Sequence, residues 1–334
     1  METKPEKFIL VTGATSGIGL AFVKRLSMEF KRIYQLHICI ACRNMTKGNV
    51  VKDELEFRHK GVTVDLVKMD VSNVQSVKCA AEQIRHLYTR LDYVYLNAGI
   101  LPVSKFHVRY ALNTMFSKDV LQMFKTGLGM FTTTDETTKE GVKSIFATNV
   151  LGHFVLVNEL IPVLTSQSED HHGQVIWTTS SNASKKSFKL NDVTCQQGSQ
   201  PYSSSKYAME GVSIEMNKRL NSLGIYSHVS DPGTVKTNIT KGVVAEWLWY
   251  FLIPFMWMLR LFLPNFTIYP YNACHSMVWL FQQDPEKLED RCRYCSYTNV
   301  FNTNYIHTET LAPSRFESEL IYDQVKKVSK RVCS

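Results

Sequence analysis

The stretch Phe8-Ile9-Leu10-Val11-Thr12-Gly13-Ala14-Thr15-Ser16-Gly17-Ile18-Gly19 decides the fold. Phe8 to Val11 is a short apolar run that ends in a glycine turn, and Ala21 to Phe30 follows with helical spacing. The order is therefore strand, loop, helix. In such a loop Gly13 allows the tight turn, Gly17 lets the backbone approach a pyrophosphate, and Gly19 lets helix and strand pack closely. Thr15, Ser16 and Ile18 fill the rest of the cradle at a helix N-terminus, where unpaired amides favour an anion. A glycine loop alone is weak evidence, so the context has to carry the reading.

That context is a series. Further strands are expected at Leu36 to Ala41, Val62 to Met69, Leu91 to Leu96, Gln174 to Thr179 and Tyr226 to Ser230. Helical segments separate them, the longest being Gly141 to Leu164 and Pro201 to Leu223. Strands alternating with helices predict an α/β fold, a doubly wound parallel sheet of Rossmann-like type. Residues 1–334 read as a single domain, with an insertion at 101–140, an apolar segment at 241–268 and a C-terminal extension at 305–334.

Composition sets the bounds. With 334 residues, 44% hydrophobic and 20% charged, the chain can bury a full core. A formal charge of +8 favours an anionic partner, a phospholipid surface or a nucleotide phosphate. No Lys/Arg run with interleaved aromatics points to nucleic acid. The eight cysteines are scattered and make no disulfide framework, which suits a reducing compartment. Cys292 and Cys295 have the spacing of half a zinc site, but no second pair follows, so no metal is expected. The N-terminus leads directly into a strand without an apolar leader, so the catalytic part is expected to face the cytosol.

Two stretches fall outside the minimal sheet. The insertion carries Met115, Phe116, Val120, Leu121, Met123, Phe124, Met130 and Phe131. It reads as a lid packed on the domain, or as a partner or membrane surface. Trp247 to Leu263 is 17 residues of almost unbroken apolar character with three tryptophans, interrupted by Pro254 and Arg260. That is marginal for a span, and tryptophan favours the bilayer interface, so a segment dipping into one leaflet is expected.

The chemistry lies at strand ends and on one helix. After the second strand stand Cys42-Arg43-Asn44. There is no carboxylate for a ribose hydroxyl, and Arg43 can grip a phosphate, so NADP is preferred over NAD. Asp70 and Val71 would meet the adenine, with a helix N-cap as the plainer role for Asp70. Asn97-Ala98-Gly99 offers small residues where a ribose approaches. Tyr202 and Lys206 are four apart on a helix, hence on one face, so an ammonium can sit beside a phenol and lower its pKa. That pair suits proton delivery to a carbonyl.

These motifs together resemble the short-chain dehydrogenase/reductase family: Thr12-Gly13-x-x-x-Gly17-x-Gly19, Asn97-Ala98-Gly99, Asn149, a serine pair, Tyr202-x-x-x-Lys206 and Pro232-Gly233, spanning about residues 8–240. The resemblance implies that Tyr202 is the acid-base residue, that Lys206 binds the nicotinamide ribose, and that Asn149 holds a proton-relay water. It also implies that Pro232, Gly233, Val235 and Thr237 line the nicotinamide end. The serine that orients the carbonyl is assigned to Ser181, with Ser180 second.

Within the family, Ala41 to Met45, Leu91 to Ile100, Pro201 to Ala208 and Pro270-Tyr271-Asn272 resemble the 3-ketosteroid reductase branch. That branch implies NADPH, a steroid or sterol ketone substrate with estrone as an additional one, and the endoplasmic reticulum membrane. It also implies a homo-oligomer or partner enzymes of sterol synthesis. Two departures stand out: Asp231 occupies a position that is usually small or cysteine, and the chain after Tyr305 matches little. The rival readings are a membrane retinol or retinal dehydrogenase, and a catalytically idle interaction protein.

Overall fold

The structure, a computed structural model, describes residues 4–114, 117, 118, 120, 123, 129, 131–165, 171–236 and 249–333. The sheet begins with β1 (Glu6–Thr12), β2 (Gln35–Cys42), β3 (Val62–Lys68) and β4 (Tyr93–Leu96). Helices α1 (Gly17–Phe30), α2 (Met45–Arg58) and α3 (Val74–Leu87) connect them. A hairpin of β5 (Val103–Phe106) and β6 (Phe131–Thr133), with α4 (Val108–Thr114) between its strands, stands apart in the insertion. Next come α5 (Ser144–Leu164), β7 (Gly173–Thr178), α6 (Pro201–Leu220) and β8 (Ile225–Asp231). The chain closes with α7 (Trp249–Leu259), α8 (Pro270–Ala273), α9 (His275–Phe281), β9 (Cys292–Thr298), β10 (Asn304–Thr310) and α10 (Arg315–Cys333).

The eight strands run in the order β10-β9-β8-β7-β4-β1-β2-β3. All neighbours pair in parallel except β9 and β10, which pair antiparallel. The predicted doubly wound sheet is thus present, and the sequence reading missed its last two strands. The chain reverses direction across the sheet between β1 and β4, and that switch point is where such sheets open a crevice.

Successive residues of a strand face opposite sides. Leu10, Cys39, Val67, Val94 and Trp177 therefore join the core under α3, α5, α6 and α10, while Ile9, Val11, Ile38, Ile40 and Tyr95 join the core under α1 and α9. Burial on both faces explains why β1 reads as an unbroken apolar run. Helix α5 is long and apolar enough to cross a membrane by composition, but it lies in the core.

The C-terminal extension is part of this body. Ile321, Tyr322 and Val325 of α10 are buried, and Ile321 packs over Gly211 of α6, where a Cβ would lie 2.7 Å from its Cδ1. Cys292 and Cys295, three apart on β9, point to opposite faces of the strand, so they do not form half of a shared metal site.

Candidate active site

A cleft of about 810 Å³ opens at the switch point. One wall is the glycine loop, with Gly13, Thr15, Ser16, Gly17 and Ile18. Gly13 has φ +71°, and a Cβ there would come within 2.9 Å of the Ala98 Cα. A Cβ on Gly19 would lie 2.5 Å from Asn97 Nδ2. Gly19 does not line the cleft itself; its bareness lets α1 start against β4. Ser16 caps α1 without a side-chain hydrogen bond, so the first amides of the helix stay available to an anion.

The floor is pinned by Thr12. Its hydroxyl accepts from the amides of Asn97 and Ala98, both at 3.0 Å, and meets His153 Nε2 at 3.1 Å. Asn97 Nδ2 donates back to the Thr12 carbonyl at 3.1 Å. The ends of β1 and β4 are thereby locked together.

The far end of the cleft is cationic. Arg43, Lys47 and Lys68 line it beside Asn44, Asp70 and Val71. Lys47 and Lys68 had no motif to announce them. Asn44 caps α2 through the Lys47 amide at 2.9 Å, which brings that turn to the cleft. Asp70 is not the cap of α3: Asn73 is, accepting from the Ser76 amide at 2.7 Å. Asp70 Oδ1 instead accepts from Ser72.

At the other end lie Asn97, Ala98, Gly99, Thr178, Tyr202, Lys206 and Pro232. Lys206 Nζ donates to the Thr178 carbonyl at 2.7 Å and sits 5.6 Å from the centre of the Tyr202 ring. A Cβ on Gly99 would be 3.2 Å from Asn149 Oδ1, a tight contact, and 3.9 Å from Lys206 Nζ, so Gly99 sits where these two side chains converge. Asn149 lies in a π-helical turn, Ala147–Leu151. Its Oδ1 accepts from the Ile100 amide at 2.9 Å, and its Nδ2 donates to Ser205 Oγ at 3.2 Å. The side chain is thus engaged within the protein and fixes the exit of β4.

Ser180, the second choice for the carbonyl-orienting serine, is hydrogen-bonded to the Tyr202 side chain just past the end of β7. One expectation changes: the Tyr202 phenol is not acidified. Burial pushes it up to about 12, with Ser180 pulling the other way and the Asp231 carboxylate adding to the rise. Burial also lowers Lys206 to about 8, against the opposing pull of Asp231 and Glu210. Desolvation outweighs the proximity of the pair.

Gly233 takes φ +71° and donates to Asp231 Oδ1 at 2.9 Å. Val235 bridges Ile268 in an isolated parallel step outside the cleft. Thr237 lies outside the described residues, as do Trp247 and Leu248.

Residues 7–247 match the family described as short chain dehydrogenase. The chain belongs to this family. It is 41% identical over 326 residues to the rat 3-keto-steroid reductase/17-beta-hydroxysteroid dehydrogenase 7, covering 98% of this chain and 96% of that one. The human protein of the same name is also 41% identical over 326 residues, covering 98% and 94%. Among solved structures, the NADPH-bound carbonyl reductase from chicken fatty liver shares the fold, with TM-score 0.56, 18% identity and coverage of 90% and 99%. As a member of the family, the chain is an oxidoreductase.

Proposed function

We propose that the chain uses NADPH to reduce the ketone of a steroid or sterol to a hydroxyl. The carrying observation is the 41% identity over nearly the full length to a reductase of that name, together with a cleft lined by Tyr202 and Lys206, with Ser180 hydrogen-bonded to the phenol. The fit to NADPH rests on the bare glycine loop, the uncapped start of α1, and Arg43 and Lys47 where a 2′-phosphate would lie. Such a group supplies the hydride.

The chain's own part is proton delivery and orientation. Tyr202, pushed up to about 12, is a phenol at neutral pH and so holds the proton a reduction requires. Ser180 and the Tyr202 hydroxyl together donate to the carbonyl oxygen as negative charge develops there. Lys206, anchored on Thr178, keeps an ammonium beside that oxygen and the ribose. Proton delivery falls as pH rises through about 8, where Lys206 loses its charge.

The same reading places the protein on the endoplasmic reticulum membrane with its cleft toward the cytosol. Support comes from the stretch after β8, where Tyr250, Leu261 and Phe262 are 80%, 65% and 70% exposed. Exposed aromatic and apolar residues in one segment suit one leaflet, where a flat apolar substrate dissolves.

Purified protein with NADPH is tested against a 3-keto sterol, estrone and retinal, and the products are identified. Formation of the 3-hydroxy sterol is expected. Turnover of retinal alone supports the retinoid reading, and no NADPH oxidation with any of the three supports an idle fold.

A further inference from the structure

Behind Tyr202 and Lys206 lies a set of charges that the reaction described above does not use. Glu210, one turn beyond Lys206 on α6, is fully buried, and its Oε1 meets Arg293 Nη2 at 2.7 Å and the Thr179 hydroxyl at 3.0 Å. Arg293 on β9 also reaches Asp231 Oδ2 at 3.4 Å and Glu309 Oε2 at 3.8 Å. Side chains of Arg293, Glu210 and Asp231 are at most 7% exposed, whereas Glu309 on β10 is 25% exposed.

The set is wired to the catalytic pair through the end of β7. The Thr178 carbonyl takes Lys206, the Thr179 hydroxyl takes Glu210, and Ser180 takes Tyr202. Asp231 meanwhile begins the turn that carries Pro232 to the cleft. Fastening α6, β8 and β9 together does not require ions, because burying each costs several kcal/mol and packed apolar residues hold elements as well. What apolar residues cannot do is set the potential at a buried ammonium. Lys206 and Arg293 against Asp231 and Glu210 make a set that is neutral when all four are ionised. The other titratable neighbours are Glu309 of β10, which Arg293 also meets, Cys295 and Tyr297 of β9, Tyr207 of α6, and His153 of α5, which burial lowers to about 3 and so keeps neutral.

We propose that Asp231, Arg293 and Glu210 are positioning residues that together keep Lys206 an ammonium and Tyr202 a phenol, and thereby set the highest pH at which the chain delivers a proton. This rests on the reading of Tyr202 as proton donor. Asp231 acts on both members of the pair and Glu210 on Lys206, each favouring the protonated form. Arg293 on β9 partners Asp231 at the end of β8.

The test compares the full chain with Asp231→Asn and Glu210→Gln by thermal melting, by the pH profile of NADPH-dependent ketone reduction, and by tyrosinate absorbance. Subtracting a Tyr202→Phe partner in each background isolates residue 202 in the absorbance, without coenzyme or substrate. Asp231→Asn is expected to move the high-pH limb down by about one unit, with the rate at about pH 6 within a few-fold of the parent. Ionisation of residue 202 moves the same way. Glu210→Gln shifts the limb in that direction too, and decides the matter should Asp231→Asn fail to fold. A uniform loss of rate across pH, with limb and tyrosinate titration unmoved, makes the set purely structural and overturns the proposal. If the parent reduces no ketone, the functional reading fails, while the tyrosinate titration still decides this one.

Discussion

The half of the molecule that surrounds the glycine loop and the half that follows β8 are held by different means. From β1 to β4 the site is fixed by backbone: Gly13 and Gly19 make room, and Thr12 ties two strand ends through main-chain amides. After β8 the fasteners are buried cations. Arg293 joins α6, β8 and β9, and Arg260 donates to the carbonyls of Phe266 at 2.7 Å and Thr267 at 2.8 Å and to Asn302 at 3.2 Å. Geometry made by missing side chains leaves a local signature in the sequence. Geometry made by ion pairs between distant residues leaves none.

The largest effect expected is at the join of the two halves. Tyr202→Phe removes the proton and keeps the ring, so turnover should fall by about 10²–10⁴-fold. NADPH binding, followed by fluorescence, and the melting temperature should stay near the parent values. If turnover persists, the acid is another group and the comparison loses its meeting point.

Next comes the cationic end of the cleft. Arg43→Ala should weaken NADPH by about 10- to 100-fold, on the scale of one charge-assisted hydrogen bond of ~1.5–3 kcal/mol, with NADH affinity nearly unchanged. Titration with both coenzymes checks it. Equal weakening of the two would mean that Arg43 does not read the 2′-phosphate and that Lys47 and Lys68 do.

These outcomes bear on what could be read without a structure. Strands β1 to β4, β7 and β8, the cleft, Arg43, Lys206 and Tyr202 were legible, because glycine loops, strand periodicity and an i,i+4 pair are local patterns. Between Ser180 and Ser181 the sequence could not choose, since a one-residue slip at a strand end reverses the face and the sequence does not show where β7 stops. The lowered phenol pKa failed because spacing reports only that an ammonium is near, and burial, which won, is a property of the assembled fold. Strands β9 and β10 and helix α10 were missed because their partners, Asp231, Glu210 and Gly211 among them, lie far off in the chain. Arg260 looked like an interruption of an apolar run and is instead its anchor.

That anchor gives the third prediction. Arg260→Met leaves two carbonyls without their donor, at about 1–3 kcal/mol each. Limited proteolysis should then cut residues 249–263 faster, while coenzyme affinity stays constant because no part of the glycine loop depends on this guanidinium. Unchanged proteolysis would show that packing of Met256, Leu263 and Phe266 suffices.

The smallest effect separates the outer face of the same segment from its anchor. Leu261 and Phe262 are exposed, whereas Leu263 beside them is buried. Each exposed apolar side chain adds about 1.5–3 kcal/mol when it leaves water. Phe262→Ser should therefore lower partition onto anionic phospholipid vesicles by about tenfold or more, in a flotation assay. Reduction of a water-soluble ketone should be unaffected, because the substitution touches neither Arg260 nor the cleft. Reduction of a sterol ketone presented in vesicles should fall in step with binding. If vesicle binding instead follows salt concentration and ignores Phe262, the net charge of +8 rather than this face carries the association. The C-terminal half would then hold its apolar residues for substrate alone.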